Sequence, residues 1–313
     1  MNPAIPRRRF VLGALAVGAI GACSEGTEDE PSASTGPTGT SEPSGTTVAP
    51  EGRTDWFMPA EETEHERTWM CWPSNADVWG DDLEAVQDTI EEIALAIAEF
   101  EPVTMLCRPD QLDQLAERTG GDIELLAAPV DDLWARDTLP CLLVSTNEGG
   151  AAKLAAGRFR FNGWGGKQLH AGDTQLAAVV AQHLGIELID SGLVGEGGGI
   201  EVDGEGTVLA SRSSWVNDNR NPGRGEAEVE ASMLDALGAE RVIWVDGLAG
   251  ADITDGHIDT LARFADEGTI VVDRPAVEDP DDPWTEVAEQ TRRQIRAART
   301  FNSRTTSRTE FTT

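Results

Sequence analysis

Apolar residues recur along this chain with two different spacings. Between 81 and 100, Leu83, Val86, Ile90, Ile93 and Ile97 fall at three- and four-residue steps and form one stripe of a helix. Shorter helices are expected at 109–119, 173–184, 225–237 and 284–299. Between them stand short runs rich in Val, Ile, Leu, Trp and Met: "RTWMCW", "VTMLC", "IELLAAPV", "CLLVS", "IELIDS", "RVIWVD" and "TIVVD". Runs of this length and composition read as strands. Asp203-Gly204 and Glu267-Gly268 sit between such runs, where hairpin turns belong. Strands alternating with helices predict an α/β fold.

Three polar, turn-rich clusters interrupt this alternation: "WARDTLP" at 134–140, "EGGGIEVDG" at 196–204 and "DGHID" at 255–259. Asp137 and Glu196 are 59 positions apart, and Glu196 and His257 are 61 apart. A recurring period of this size suits one supersecondary unit used repeatedly, which would gather equivalent loops about a common axis. An ordinary α/β domain with coincidental spacing fits the period equally well.

Composition limits the partners. The formal charge of −32 and the presence of only two lysines, Lys153 and Lys167, argue against nucleic acid, whose phosphates need a basic face. An acidic surface suits a cationic substrate, and it also suits a salty habitat. The beginning of the chain reads as an address: Arg7-Arg8-Arg9 precede the apolar run "FVLGALAVGAIGA", which is too short to span a bilayer. Consecutive arginines favour the twin-arginine export route. Ile20-Gly21-Ala22-Cys23 resembles a lipobox, so Cys23 is expected to carry lipid; a plain signal peptide with Cys23 as bystander is the alternative. Residues 1–22 are therefore expected to be a signal and 23–55, rich in Ser, Thr, Gly, Pro and Glu, a disordered tether. An exported protein, anchored by lipid to the outer face of the cytoplasmic membrane, follows. Cys71, Cys107 and Cys141 show no C-x-x-C spacing and lie in or beside strand-like runs, which predicts buried free thiols rather than zinc ligands.

Taken singly, the polar clusters are ambiguous. Arg136-Asp137 could be a structural ion pair, and the glycines at 197–199 could serve a tight turn. His257 between Asp255 and Asp259 has no second histidine at a ligand spacing, so no metal is expected. Taken together, the clusters fit one ligand. A guanidinium is planar, permanently charged and forked, and carboxylates recognise it through paired, charge-assisted hydrogen bonds. Asp137 and Asp259 are the candidates for that grip. His257 is the candidate for proton transfer, with Glu196 as its partner or as a further guanidinium contact.

Six motifs occur in order: "MPAEETEHERTWMCWP" at 58–73, "WARDTLP", "FNGWGGK" at 161–167, "EGGGIEVDGEG" at 196–206, "NRNPG" at 219–223 and "DGHIDTLARF" at 255–264. Over about residues 56–299 the chain resembles the agmatine deiminase and bacterial peptidylarginine deiminase family. The resemblance implies a pentein fold, an α/β propeller of five ββαβ-like units about a pseudo-fivefold axis with the active site at its centre. It implies hydrolysis of a guanidino group to a ureido group plus ammonia, without a cofactor, on agmatine or on arginine in peptides. It assigns Asp137 and Asp259 to the guanidinium, His257 and Glu196 to proton transfer, and Trp134 and Trp164 to the walls of the pocket.

The chain departs from the family at two places. Leu139 stands where a glycine is usual, in the loop that carries Asp137. The family's closing glycine-rich segment with its "H-C" nucleophile has no counterpart. Residues 300–313, "TFNSRTTSRTEFTT" from Thr300, hold no cysteine and no apolar period and are expected to be an aberrant, disordered tail after a frameshift or truncation. The domain at 56–299 would then lack the last part of its ring. The expected activity would be lost with the nucleophile, leaving a guanidino-binding lipoprotein or an unstable fragment as the alternative.

Overall fold

The second and third of the four sheets found among the described residues follow one plan, repeated at the length the polar clusters suggested. The computed structural model describes residues 56–145, 153–266, 268–276 and 279–302, all within the unit Ala49–Thr313. The signal-like start, Cys23, the tether as far as residue 55, and residues 303–313 of the tail lie outside the described residues. The first sheet is parallel throughout, in the order β1 (Thr68–Cys71), β2 (Val103–Cys107), β3 (Glu124–Ala127). In the second, β4 (Cys141–Ser145) runs antiparallel to β5 (Lys153–Arg158), which is parallel to β6 (Glu187–Asp190). The third repeats this with β7 (Ile200–Val202), β8 (Thr207–Ser211) and β9 (Arg241–Val245). The fourth holds the hairpin β10 (Ala262–Asp266) and β11 (Thr269–Val272).

Strands running parallel within a sheet need a crossover, and helices supply it. They are α1 (Leu83–Ala98), α2 (Leu112–Thr119), α3 (Leu176–Leu184) and α4 (Glu226–Leu237); a further helix, α5 (Pro283–Asn302), follows the hairpin. All five helices expected from the apolar stripes form, and α5 continues to Asn302 rather than stopping at 299. Strand β5 was not legible in the sequence. Its "KLAAGR" looks too small and polar, yet Ala155 and Ala156 are fully buried at the centre of the second sheet. Small side chains let the helix α3 approach there.

Helices are shared between neighbouring units. Helix α3 packs on β5 and β6, and its Leu176 and Val180 also bury against Cys71 and Leu106 of the first sheet. Helix α5 places Val287 and Ile295 against Leu209, Ile243 and Val245 of the third sheet as well as Ile270 of the fourth. Within the third unit, Val229 and Met233 of α4 pack on Val208 and Trp215. Met233 is completely buried, so Met233→Ala is expected to cost about 2–5 kcal/mol from lost transfer energy plus an unfilled cavity. A lower denaturant midpoint at unchanged m would report it.

The three thiols expected to be inert are free and buried. Burial pushes Cys107 up to about 11 and Cys141 up to about 12, and drives Cys71 higher still with help from the Asp173 carboxylate.

Asp173 is the costly buried acid beside them. Its Oδ1 accepts from the backbone N–H of Asp131 at 2.7 Å, while its Oδ2 has no protein partner. Burial raises its pKa to about 7; backbone N–H donors pull the other way, and the carboxylates of Asp131 and Asp132 add to the rise. The folded chain therefore holds a proton that the unfolded chain, with a carboxyl near ~3.9, has already released. Stability from this group is present at acid pH and falls as the pH climbs from about 4 to about 7. Asp173→Asn is expected to stabilise the protein at pH 7 to 8 by on the order of 1–3 kcal/mol, with no gain near pH 4. Melting temperatures of both proteins across that range test it.

Candidate active site

The polar clusters are the segments that enter the first strand of successive units. Ala135–Thr138, just before β4, makes one helical turn; Gly197–Gly199 makes a 3-10 turn before β7; Ile258–Thr260 makes another before β10. Equivalent places in equivalent units face one another, and the turn at 197–199 packs against both of the others. The period near sixty residues is thus the spacing of these turns.

Their side chains converge over Gly198. A Cβ at that position would stand 2.7 Å from Asp137 Oδ1, 2.7 Å from His257 Nδ1 and 2.8 Å from Asp259 Oδ2. Only a residue without a side chain lets the backbone run so close beneath the three groups. The same backbone contributes a bond, because the Gly198 N–H donates to Asp137 Oδ1 at 2.9 Å. Trp164 Nε1–H donates to the other oxygen, Oδ2, at 2.8 Å. Asp137 is thus held at both oxygens.

His257 is 2% exposed and Glu196 1% exposed. The imidazole faces Glu196 Oε2 through Nε2 at 3.2 Å and Asp137 Oδ1 through Nδ1 at 3.8 Å. Burial works against the imidazolium, but Asp137, Glu196 and Asp259 together outweigh it, and His257 binds its proton more tightly than a free imidazole. Burial also raises Asp259, against the pull of His257, Arg136 and Arg263. Four acid–base groups therefore share one shielded space with a surplus of negative charge.

Two tryptophans stand near these groups. Trp164 is buried and meets Phe161 edge-on at 5.0 Å and Trp134 edge-on at 6.5 Å, while Trp134 is 44% exposed at the rim. Trp164 has φ of +57°, a left-handed conformation that a bulky residue adopts only under tertiary constraint. The constraint is visible: Asn162 Oδ1 accepts from the Gly165 N–H at 2.8 Å, and a Cβ at Gly165 would lie 2.5 Å from Asn219 Nδ2. The "FNGWGGK" turn aims the indole at Asp137.

Asp137, Glu196, His257, Asp259 and Trp164 come together, with Trp134 beside them. The alternative reading of Arg136-Asp137 as an ion pair is not what forms. Arg136 turns away to Glu61, which also binds Arg263 and so ties the 58–73 segment to the turn at Ala135–Thr138 and to strand β10. Leu139 takes an extended conformation, so this loop needs no glycine there. Two buried residues had been given no role from the sequence: Arg220, in "NRNPG", and Asp255, which stand directly behind Glu196. The quoted motif was the only signal for Arg220, because its partners are 24 and 35 residues away.

The sequence profile of the Porphyromonas-type peptidyl-arginine deiminases matches residues 57–311. A relative from Legionella pneumophila (strain Paris) is 39% identical over 223 residues, 69% of this chain and 62% of that protein. The agmatine deiminase of Stutzerimonas stutzeri (strain A1501) is 36% identical over 248 residues, 76% of this chain and 65% of that protein. The chain thus spans a little under two thirds of these curated relatives. Among solved structures, the agmatine deiminase of Enterococcus faecalis superposes with a TM-score of 0.71 at 27% identity, covering 77% of this chain and 66% of that one. A substrate-bound agmatine deiminase of C. jejuni superposes with a TM-score of 0.67 at 25% identity, covering 78% and 71%. The repeated sheet–helix units are those of the pentein fold, and the chain belongs to the agmatine deiminase and peptidylarginine deiminase family.

Proposed function

We propose that the space above Gly198 holds a guanidino group for hydrolysis at its central carbon. Asp137 and Asp259 grip the flat cation, the Trp134 and Trp164 rings line the approach, and His257 with Glu196 moves protons. The convergence of Asp137, His257 and Asp259 on one point carries this reading. In the reaction of this family a cysteine thiolate adds to the guanidino carbon. The C–N bond breaks, and ammonia leaves with a proton from the imidazolium. Water, losing a proton to the same imidazole, then adds as the C–S bond breaks, and a ureido product departs. A raised proton affinity beside the grip, at His257, suits a group that must give and take a proton near neutral pH. Agmatine and arginine in peptides both present the required cation.

Among the described residues, no cysteine thiol stands with Asp137, Glu196, His257 and Asp259. Cys71, Cys107 and Cys141 are buried strand thiols held in the neutral form, and Cys23 lies in the signal-like start. Covalent and acid–base groups in such enzymes act as a unit, so losing one removes nearly all of the rate. The 313-residue polypeptide is therefore proposed to bind guanidino compounds without turning them over. Incubation with agmatine and with an arginine peptide, followed by colorimetric detection of ureido product, is expected to give only the background of a heat-denatured control. Product above that background overturns the claim. The proposal extends to location: Cys23→Ala is expected to release the exported protein from the membrane fraction, and retention there would speak against a lipid anchor.

A further inference from the structure

The "NRNPG" turn takes no part in gripping the cation, yet its arginine is one of the largest fully buried side chains among the described residues. The Arg220 side chain is 0% exposed, and every partner it has belongs to another part of the site or to its own turn. Its Nε–H is shared between Glu196 Oε2 at 2.8 Å and Oε1 at 3.0 Å. Its NH1 donates to Asp255 Oδ2 at 2.7 Å and to Asn219 Oδ1 at 3.1 Å, and its NH2 donates to the Thr254 carbonyl at 2.8 Å. Asp255 is in turn held from its solvent side by Lys167 Nζ at 2.8 Å and from the backbone by the Gly250 N–H at 2.9 Å.

We propose that Arg220 is the positioning residue of this site: it shares the Glu196 carboxylate with His257 and keeps it turned toward the ring, with Asp255 and Lys167 anchoring it from behind. This rests on reading His257 and Glu196 as the proton-transfer pair. Glu196 is 1% exposed, so its oxygens need protein partners in place of water, and the shared Nε–H fixes its rotation so that Oε2 faces the ring. Guanidinium suits this task because its fork can bind Glu196 and Asp255 from different edges at once. Lys167, Asp255, Arg220, Glu196 and His257 thus form a line of alternating charge from the half-buried surface to the imidazole. It joins the "FNGWGGK", "NRNPG", "EGGG" and "DGHID" motifs.

The ring is faced by Glu196 on one side and by Asp137 and Asp259 on the other, with Arg136 and Arg263 beyond Asp259. Asp137 and Asp259 favour keeping the pair's proton on the ring rather than on Glu196. Removing the Arg220 charge leaves Glu196 undivided toward His257 and raises the ring's proton affinity; removing the Asp255 charge strengthens the hold of Arg220 and lowers it.

Imidazole titration by NMR reads this directly, since the chain has four histidines and His257→Asn identifies the resonance. The His257 midpoint is expected to rise by one pH unit or more in Arg220→Gln. It should stay within about half a unit of wild type in Arg220→Lys, which keeps the charge, and fall by about half a unit in Asp255→Asn. An Arg220→Gln midpoint equal to wild type, or an Arg220→Lys midpoint displaced as far as that of Arg220→Gln, overturns the proposal. If Arg220→Gln does not fold, Asp255→Asn decides: position 255 has φ of +63°, which asparagine adopts readily, and an unmoved midpoint there is equally fatal. The titration needs no ligand. A chain that titrates as described but fails to bind agmatine would sink the proposed function and leave the role of Arg220 standing.

Discussion

Gly198→Ala is expected to abolish binding of guanidino compounds while leaving a folded protein. The added methyl would sit within 2.8 Å of Asp137 Oδ1, His257 Nδ1 and Asp259 Oδ2, closer than carbon and polar atoms approach, and all three groups would have to move. Backbone strain is not the reason, since Gly198 is absent from the positive-φ positions. The damage is confined to the space where the cation is held. Each charge-assisted hydrogen bond lost costs roughly 1.5–3 kcal/mol, and losing the grip at two acids amounts to on the order of 1,000-fold in affinity. Calorimetric titration with agmatine, beside a thermal melt, separates loss of the site from loss of the fold. A variant that binds as well as wild type would show that the cation sits elsewhere.

Asp137→Asn should have the second largest effect, for a reason that the charge alone does not capture. Both carboxylate oxygens accept from fixed donors, the Gly198 N–H and Trp164 Nε1–H. An asparagine can present its oxygen to only one of them and must aim its own NH2 at the other. Two donors then face each other in a buried place, and the buried N–H left unpaired costs about 1–3 kcal/mol. The indole of Trp164 is expected to swing away, taking part of the pocket wall with it. Guanidine affinity should fall on the order of 100-fold, and the Trp fluorescence of the free protein should shift as well. The Trp164 indole is bound to Asp137 and not to Asp259, so Asp259→Asn should lose affinity with little change in fluorescence. If the two variants behaved alike, the dual bonding of Asp137 would have no functional weight.

The parts of this account that were legible in the sequence are those written locally. The stripe of Leu83, Val86, Ile90 and Ile97 marks the half-buried face of α1 around the buried Ala94, because a helix shows one face every three to four residues, while Ile93 stays exposed. The period separating Asp137, Glu196 and His257 shows in the chain because each unit repeats its turn before its first strand. Strand β5 was hidden because a central strand of Ala and Gly carries no hydrophobic signature, although its neighbours bury Ala155, Ala156 and Gly157. The contacts behind the site were hidden for a different reason. Glu61 reaches Arg263 across 202 residues, and Arg220 reaches Glu196 and Asp255 from a turn whose sequence reads only as a loop. Which acid pairs with which base is decided by how the units meet, and no local spacing encodes it. Arg136 illustrates this: it lies next to Asp137 in sequence and binds Glu61 in space.

The central claim is that Asp137 and Asp259, from separate units, hold a flat cation beside His257. Comparing agmatine with its ureido counterpart, which has the same shape at that end but no charge, tests it most directly in a calorimetric titration of the 313-residue chain. The guanidino compound is expected to bind at least 100-fold more tightly than the ureido compound, with the difference lost in Asp137→Asn. Equal affinity for the two ligands, or a preference that survives in Asp137→Asn, would contradict the account.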